Sequence, residues 1–463
     1  MEVQIQDLKQ SLEQRNIKYV KVAVTDIDGV LRGKYMHIKK FMKSLDSGFG
    51  FCDVIFGWDS SDELYEFRIS DSNKLFTGWH TGYPDQTVRV ILDSEREIPF
   101  EKDTPLFLCE LKDAHVCPRT VLKTTLDLLK TIGFQGKSAL EYEFFLFKET
   151  PDTVRSKNFK NLINFTPGMF GYSVLRSSVH SDFYQEILNM SSKMDFTLEG
   201  LHTETGPGVI EAAIGVDETL KSADKAVLFK TFMKVLAQRN NLMATFMAKW
   251  SKKYPGQSGH IHCSLLDLKG NPVFSQEGSG EMSKIMTNFL GGLQKYGKEF
   301  FALMAPTTNS YKRMRIGAWA PINLTWGEEN RTTGYRIIRG SPDSQRIENR
   351  LTGSDANPYL ALSATFGAGL LGIKENLEPS KAIIGEAYSS KINEELKLPK
   401  SLKEAANLLK NSEKARSIWG DKFVDHFSAT RMWEHEQLSK NRAYFEDKEE
   451  ISNWELKRYF EII

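Results

Sequence analysis

The chain has 463 residues, 40% of them hydrophobic and 26% charged, with a formal net charge of +1. That apolar content suffices for a buried core and excludes a disordered chain, while the near-neutral balance gives no sign of a nucleic-acid partner. The longest apolar runs fall far short of a bilayer span, and Met1-Glu-Val-Gln-Ile-Gln-Asp lacks a basic-then-apolar signal pattern, so no membrane partner and a cytoplasmic location are expected.

In chain order, the first signals describe a small α+β unit. A helix is expected over Ile5 to Arg15, then a strand in which Val20, Val22 and Val24 alternate, and Asp26-Ile-Asp28-Gly29 before Val30-Leu-Arg reads as a hairpin turn. The stretch from Pro99 to Pro105 is the plausible break, giving domains at residues 1–103 and 104–463. Beyond it, strands mix with amphipathic helices such as Val121 to Thr131 and Leu402 to Lys410, the latter opened by a capping box of Ser401 with Glu404. Cys52, Cys109, Cys117 and Cys263 lack zinc-like spacing and are expected as reduced structural thiols.

Glu141-Tyr142-Glu143 sits inside the apolar run Ser138-Ala-Leu-Glu-Tyr-Glu-Phe-Phe-Leu-Phe147. Residues two apart on a strand share a face, so both carboxylates point the same way. The segment alone is either an edge strand with its polar face in solvent or a buried strand whose like charges need protons or metal ions. Two further segments favour a metal. In Glu204-Thr-Gly-Pro-Gly-Val-Ile-Glu211 a Gly-Pro-Gly turn can bring two more acids to one site. In Gly256-Gln-Ser-Gly-His260-Ile-His262-Cys-Ser264, alternation puts His260, His262 and Ser264 on one face. Histidine with carboxylates is a metal-ligand set. A fourth segment, Asn330-Arg331-Thr-Thr-Gly-Tyr-Arg336 through Arg346-Ile-Glu348-Asn-Arg350, places a carboxylate among guanidinium groups, which suits a site holding a metal with phosphate or carboxylate ligands. Gly136-Lys137-Ser138 is not the end of a Walker loop, because Thr131 stands where the first glycine belongs; Gly278-Ser-Gly280 lacks the rest of a dinucleotide fingerprint and reads as a surface turn.

These motifs, with Thr308-Asn-Ser-Tyr-Lys-Arg313 and the closing Trp454-Glu-Leu-Lys-Arg-Tyr-Phe460, appear in the order typical of glutamine synthetases, and the chain resembles that superfamily over nearly its whole length. The resemblance implies a β-grasp N-terminal domain and a catalytic domain built on an antiparallel sheet with helices. It implies one divalent ion on Glu143, Glu204 and Glu211 and a second on Glu141, His260 and Glu348, with two or three ions per site. Oxygen donors with one imidazole favour Mg²⁺ or Mn²⁺. By the same resemblance His262, Ser264, Arg336 and Arg346 would contact ATP, while Gly256, Arg313 and Arg350, with Glu143 and His260, would hold glutamate. Arg331 would stabilise the phosphoryl group in flight.

The sequence also departs from the family. Trp319 stands where ammonium-using synthetases place a glutamate; an indole accepts no proton but can line a pocket for an organic amine. Its alternative is packing under the Asn-Ser-Tyr-Lys-Arg loop. This makes the chain resemble γ-glutamylpolyamine and γ-glutamylamide synthetases, which join glutamate to amines. The alternatives are a true glutamine synthetase using ammonium and a non-catalytic relative. Pro255 and Asp343 replace a common asparagine and lysine, and Glu386-Ala-Tyr388 does not match an adenylylation loop. Trp58-Asp59-Ser60-Ser61 resembles the family segment that reaches the amine site of a neighbouring subunit, which implies a double-ring homo-oligomer such as a dodecamer, with Asp59 acting at that site; an ordinary turn is the alternative.

Overall fold

The computed structural model describes residues 2–65, 75–112, 114–276, 280–440 and 450–463. A first sheet holds β1 (Tyr19–Thr25), β2 (Leu31–His37), β3 (Phe49–Cys52), β4 (Asp85–Val90) and β5 (Leu106–Leu111), in the order β2-β1-β5-β4-β3. β1 runs antiparallel to β2 and parallel to β5. The alternating valines form β1, and the expected turn closes the hairpin, with the Asp26 carboxylate accepting the N–H groups of Asp28 and Val30. With helices Glu2–Gln14 and Ile38–Ser47, this is the β-grasp-like unit.

β5 lies beyond the expected boundary at 103/104. Although it follows Pro99 to Pro105, it pairs residue by residue with β1, so the first sheet extends through it. A buried apolar strand completing a sheet outweighs the proline punctuation that precedes it.

The second sheet comprises β6 (Phe134–Phe147), β7 (Leu198–Thr203), β8 (Val209–Ile214), β9 (Asp217–Glu218), β10 (Met243–Thr245), β11 (Gly259–Asp267), β12 (Trp326–Glu328), β13 (Tyr335–Ile338) and β14 (Arg346–Asn349). Its order is β12-β13-β14-β11-β6-β8-β7, with β9 and β10 also on β6, and all pairs are antiparallel except β12 with β13. β6 is central, flanked by β11 and β8, which eliminates the edge-strand reading of Glu141 and Glu143. It also places Gly136-Lys137-Ser138 within a strand rather than a phosphate loop.

Helices Pro118–Thr131, Thr219–Arg239, Lys284–Tyr296 and Pro358–Lys374 cover the sheet. The last is apolar nearly all round and buried nearly all round, as a core helix must be. One hydrophobic cluster continues from Val22 and Phe107 of the first domain to Phe144 and Leu362 of the second. At this junction Asn357 Nδ2 donates to the carbonyls of Asp26 and Ile27, and Arg431 pairs with Asp28 at 2.7 Å. Ser401 caps helix Leu402–Asn411, but Glu404 accepts from Lys400 N rather than completing a capping box on Ser401. The cysteines are free, and Cys263 is buried opposite the histidine face. Gly278 and Ser279 lie outside the described residues. Among the described residues no helix is long and apolar enough to cross a membrane.

Candidate active site

The site is written into strand register. On β6, Glu141 lies opposite His260 of β11, while Glu143 lies opposite Glu211 of β8. β11 in turn brings His262 opposite Glu348 of β14, and β13 brings Arg336 opposite the same Glu348. Glu204 follows β7 and reaches the cluster because the Gly-Pro-Gly turn folds β8 straight back, with Glu204 N donating to Val209 O. Gly208 has φ +79°, and a Cβ there would lie 2.6 Å from the Leu146 carbonyl, so the turn tolerates no side chain.

These residues line one cavity of about 940 Å³, which also takes in Gly256, Ser264, Trp319, Arg331, Arg346 and Arg350, together with Pro255 and Asp343. Gly256 is required there by close approach, since a Cβ would lie 2.6 Å from Ala248 O and 2.8 Å from Arg313 Cγ.

The carboxylates divide into two electrostatic halves. Around Glu348, which is buried, Arg350 Nη1 approaches Oε1 at 2.5 Å and Arg336 Nη1 approaches Oε2 at 2.9 Å. Burial alone would raise its pKa, but the charge of Arg350, with the two histidines and Arg336, outweighs burial and holds it near about 2. His260 Nδ1 stands 3.5 Å from both Glu141 and Glu348, and burial followed by the Arg350 charge lowers its pKa to about 4, leaving it neutral at pH 7. Its buried Nε2 has no hydrogen-bond partner. Arg346 Nε donates to His262 Nδ1 at 3.1 Å, which fixes the tautomer whose Nε2–H donates to Glu141 Oε2 at 3.3 Å. For Glu141, burial is outweighed by the hydrogen bonds from both imidazoles, so its carboxyl lies below the usual range.

In the other half the charges of Arg313 and Arg350 do not offset burial. Burial, then the charges of Glu141 and Glu143, push Glu211 up to about 11. Burial pushes Glu143 up to about 7 against the stabilising Ser258 N–H, which donates to it at 2.7 Å. A buried group of carboxylates that holds protons this tightly is short of positive charge. The donors fit a divalent ion: Glu141, His262 and Glu348 form one cluster, and His202, Glu204 and Glu211 a second, each with ligand atoms within 4.8 Å of one another. His260 faces the first cluster and Glu143 lies beside the second.

Residues 115–459 match the glutamine synthetase catalytic-domain family. The chain belongs to the glutamine synthetase family. It is 44% identical over 96% of its length to type-1 glutamine synthetase 2 of Dictyostelium discoideum, covering 84% of that protein. It is 34% identical to the glutamate–isopropylamine ligase of a Pseudomonas species, over 99% of this chain and 98% of that one, and 31% identical to a γ-glutamylethanolamide synthetase of Streptomyces coelicolor, over 99% and 96%. Among solved structures, a GmaS–ADP complex superposes with a TM-score of 0.80 over 97% of this chain and 98% of that one at 24% identity, which establishes the shared fold. The chain is therefore an ATP-dependent ligase of a family that uses divalent metal ions.

Two expected residues, Arg313 and Asp59, do not line the cavity, whereas Trp319 does. Arg313 is buried beneath the cavity and does not line it: Nη1 donates to Leu351 O, and Nη2 donates to Ser258 Oγ and Arg350 O. Asp59 lies away from the cavity, its Oδ1 accepting from Ser61 N and Glu63 N and its Oδ2 meeting Trp433 Nε1 at 3.0 Å and Arg458 at 2.5 Å. Within one protomer its carboxylate is thus committed to neighbours on its own chain. Trp319, 58% exposed, stands at the cavity rim with φ +59°, a conformation strained for a bulky residue, so it does not pack beneath the preceding loop.

Sequence reading missed His202 and Tyr172. The Tyr172 ring lies 4.3 Å from the His202 ring, nearly parallel to it, and His202 Nε2 is 3.2 Å from Glu211. The even spacing of His202 and Glu204 was a usable signal for the histidine. Tyr172 precedes helix Val174–Val179 in an irregular stretch with no periodicity to mark it.

Proposed function

We propose that the protein joins the γ-carboxylate of glutamate to an organic amine, at the expense of ATP, through a γ-glutamyl phosphate. The observation that carries this reading is Trp319 at the cavity rim, where an apolar, cation-attracting indole occupies the position at which the family resemblance implies a proton-accepting glutamate.

The γ-carboxylate oxygen of glutamate attacks the γ-phosphorus of ATP as the bond to ADP breaks. The amine nitrogen then attacks the acyl carbon, and phosphate departs with the amine proton. Divalent ions held by Glu143, Glu204 and Glu211 and by Glu141, His260 and Glu348 would supply charge stabilisation for the phosphates. Either Mg²⁺ or Mn²⁺ suits these donors, and His202 is placed to add a nitrogen ligand. His262, Ser264, Arg336 and Arg346 would hold the nucleotide, with Arg331 beside the transferring group; preorganised cations stabilise that charge at little reorganisation cost. Arg350, Gly256 and His260 would hold glutamate, with Arg313 fixing the Arg350 main chain from behind. We assign the protein to the cytoplasm and to a ring-shaped homo-oligomer of the family type.

A true glutamine synthetase is the second reading, favoured by the 44% identity to a relative of that name. Phosphate release from ATP with Mg²⁺ or Mn²⁺ and glutamate, across ammonium, alkylamines, ethanolamine and polyamines, separates the two. Preference for one organic amine supports the proposal, preference for ammonium supports the second reading, and silence with every amine points to a non-catalytic relative.

A further inference from the structure

The segment from Ala305 to Ala320 has an anchored base and an exposed tip. At the tip, Ile316 is 74% exposed and Gly317 has φ +75°, just before Trp319. At the base, the short closing helix Asn453–Tyr459 supplies the anchors. Glu455, wholly buried, accepts from Asn309 Nδ2 at 3.0 Å through Oε1 and pairs with Lys312 Nζ at 2.7 Å through Oε2. Tyr459 Oη meets Thr308 Oγ1 at 3.1 Å. The same helix touches the site strand, since Phe460 just beyond it packs on Phe147 of β6 at 5.1 Å between ring centroids. None of these groups lines the cavity.

We propose that helix Asn453–Tyr459 is a brace for the amine rim and that Glu455 is its positioning residue, holding the Asn309–Lys312 base so that Trp319 stays at the cavity mouth. The role assigned to the rim rests on the ligase reading; the mechanical link does not. Glu455 is suited to the task because its two oxygens serve two residues of one loop while Ser452 N and Oγ donate back to Oε2, fixing the carboxylate on its own helix. A buried, charge-assisted contact of this kind has one geometry, whereas a solvated pair samples many.

The test uses full-length Glu455→Gln, which keeps the shape and removes the charge facing Lys312, and Lys312→Met as a second variant from the other side. Hydrogen exchange over the peptide spanning 305–320 is read by mass spectrometry, beside Tm and amine kinetics. The brace predicts faster exchange in 305–320 in both variants. It also predicts an amine KM raised about 2- to 30-fold, the range reached by side chains outside a site, with kcat little changed. A lowered Tm with unchanged 305–320 exchange and unchanged amine KM would overturn the brace and leave Glu455 a purely structural residue. Wild-type protein inactive with every amine would count against the ligase reading, and the exchange result would still decide the brace.

Discussion

Glu143 on β6 and Glu211 on β8 lie directly opposite one another in the sheet. Like charges at facing positions repel, and both carboxyls are buried enough that burial pushes them up, to about 7 and about 11. Without a cation, the folded protein therefore holds protons that the unfolded chain has released. Its stability is greatest below the ordinary value of 4.5 and falls as pH rises through about 7. Metal-free protein should lose roughly 1.4 kcal/mol per pH unit for each such proton. Thermal melts between pH 5 and 8 should show Tm falling in chelator and largely restored by Mg²⁺ or Mn²⁺. A flat profile indifferent to metal would contradict the ligand assignment.

Glu348 balances Arg336 and Arg350, so Glu348→Ala should remove a metal ligand and leave two guanidinium groups uncompensated. Phosphoryl transfer should be abolished, and removing one partner of a buried pair should cost about 3–5 kcal/mol in urea unfolding. Retained ATP turnover would contradict its place in the site.

Asp59 is predicted to act first on stability. With Arg458 and Trp433 on its carboxylate, Asp59→Ala should lower unfolding free energy by about 3–5 kcal/mol. Asp59→Asn should cost less, because the amide oxygen can still accept the turn N–H groups. A variant of native stability with a raised amine KM would instead support the role at a neighbouring site that the family resemblance implies.

The site's backbone was legible because strand parity is an exact rule: spacing alone put Glu141 with Glu143 and His260 with His262, and the sheet then added its own pairings through register. What spacing could not supply was the ordering of strands in the sheet, and hence which carboxylate faces which. That β5 joins the first sheet was not legible, because it pairs with a strand some eighty residues earlier in the chain, a contact that leaves no local mark. Arg313 and Asp59 carried the right residue types, yet what their side chains touch is set by tertiary packing and is invisible in a motif. Tyr172 meets His202 by stacking from an irregular stretch that has no local periodicity.

Trp319 carries the central claim, and the most direct measurement compares kcat/KM for an alkylamine and for ammonium in the wild-type protein and in Trp319→Glu. The wild-type enzyme should prefer the alkylamine. The variant should lose alkylamine efficiency by about 2- to 30-fold, the worth of a cation–π and apolar contact, and gain ammonium turnover. A wild-type preference for ammonium, with the ratio unmoved in the variant, would contradict the account and make this protein a glutamine synthetase that tolerates tryptophan at its rim.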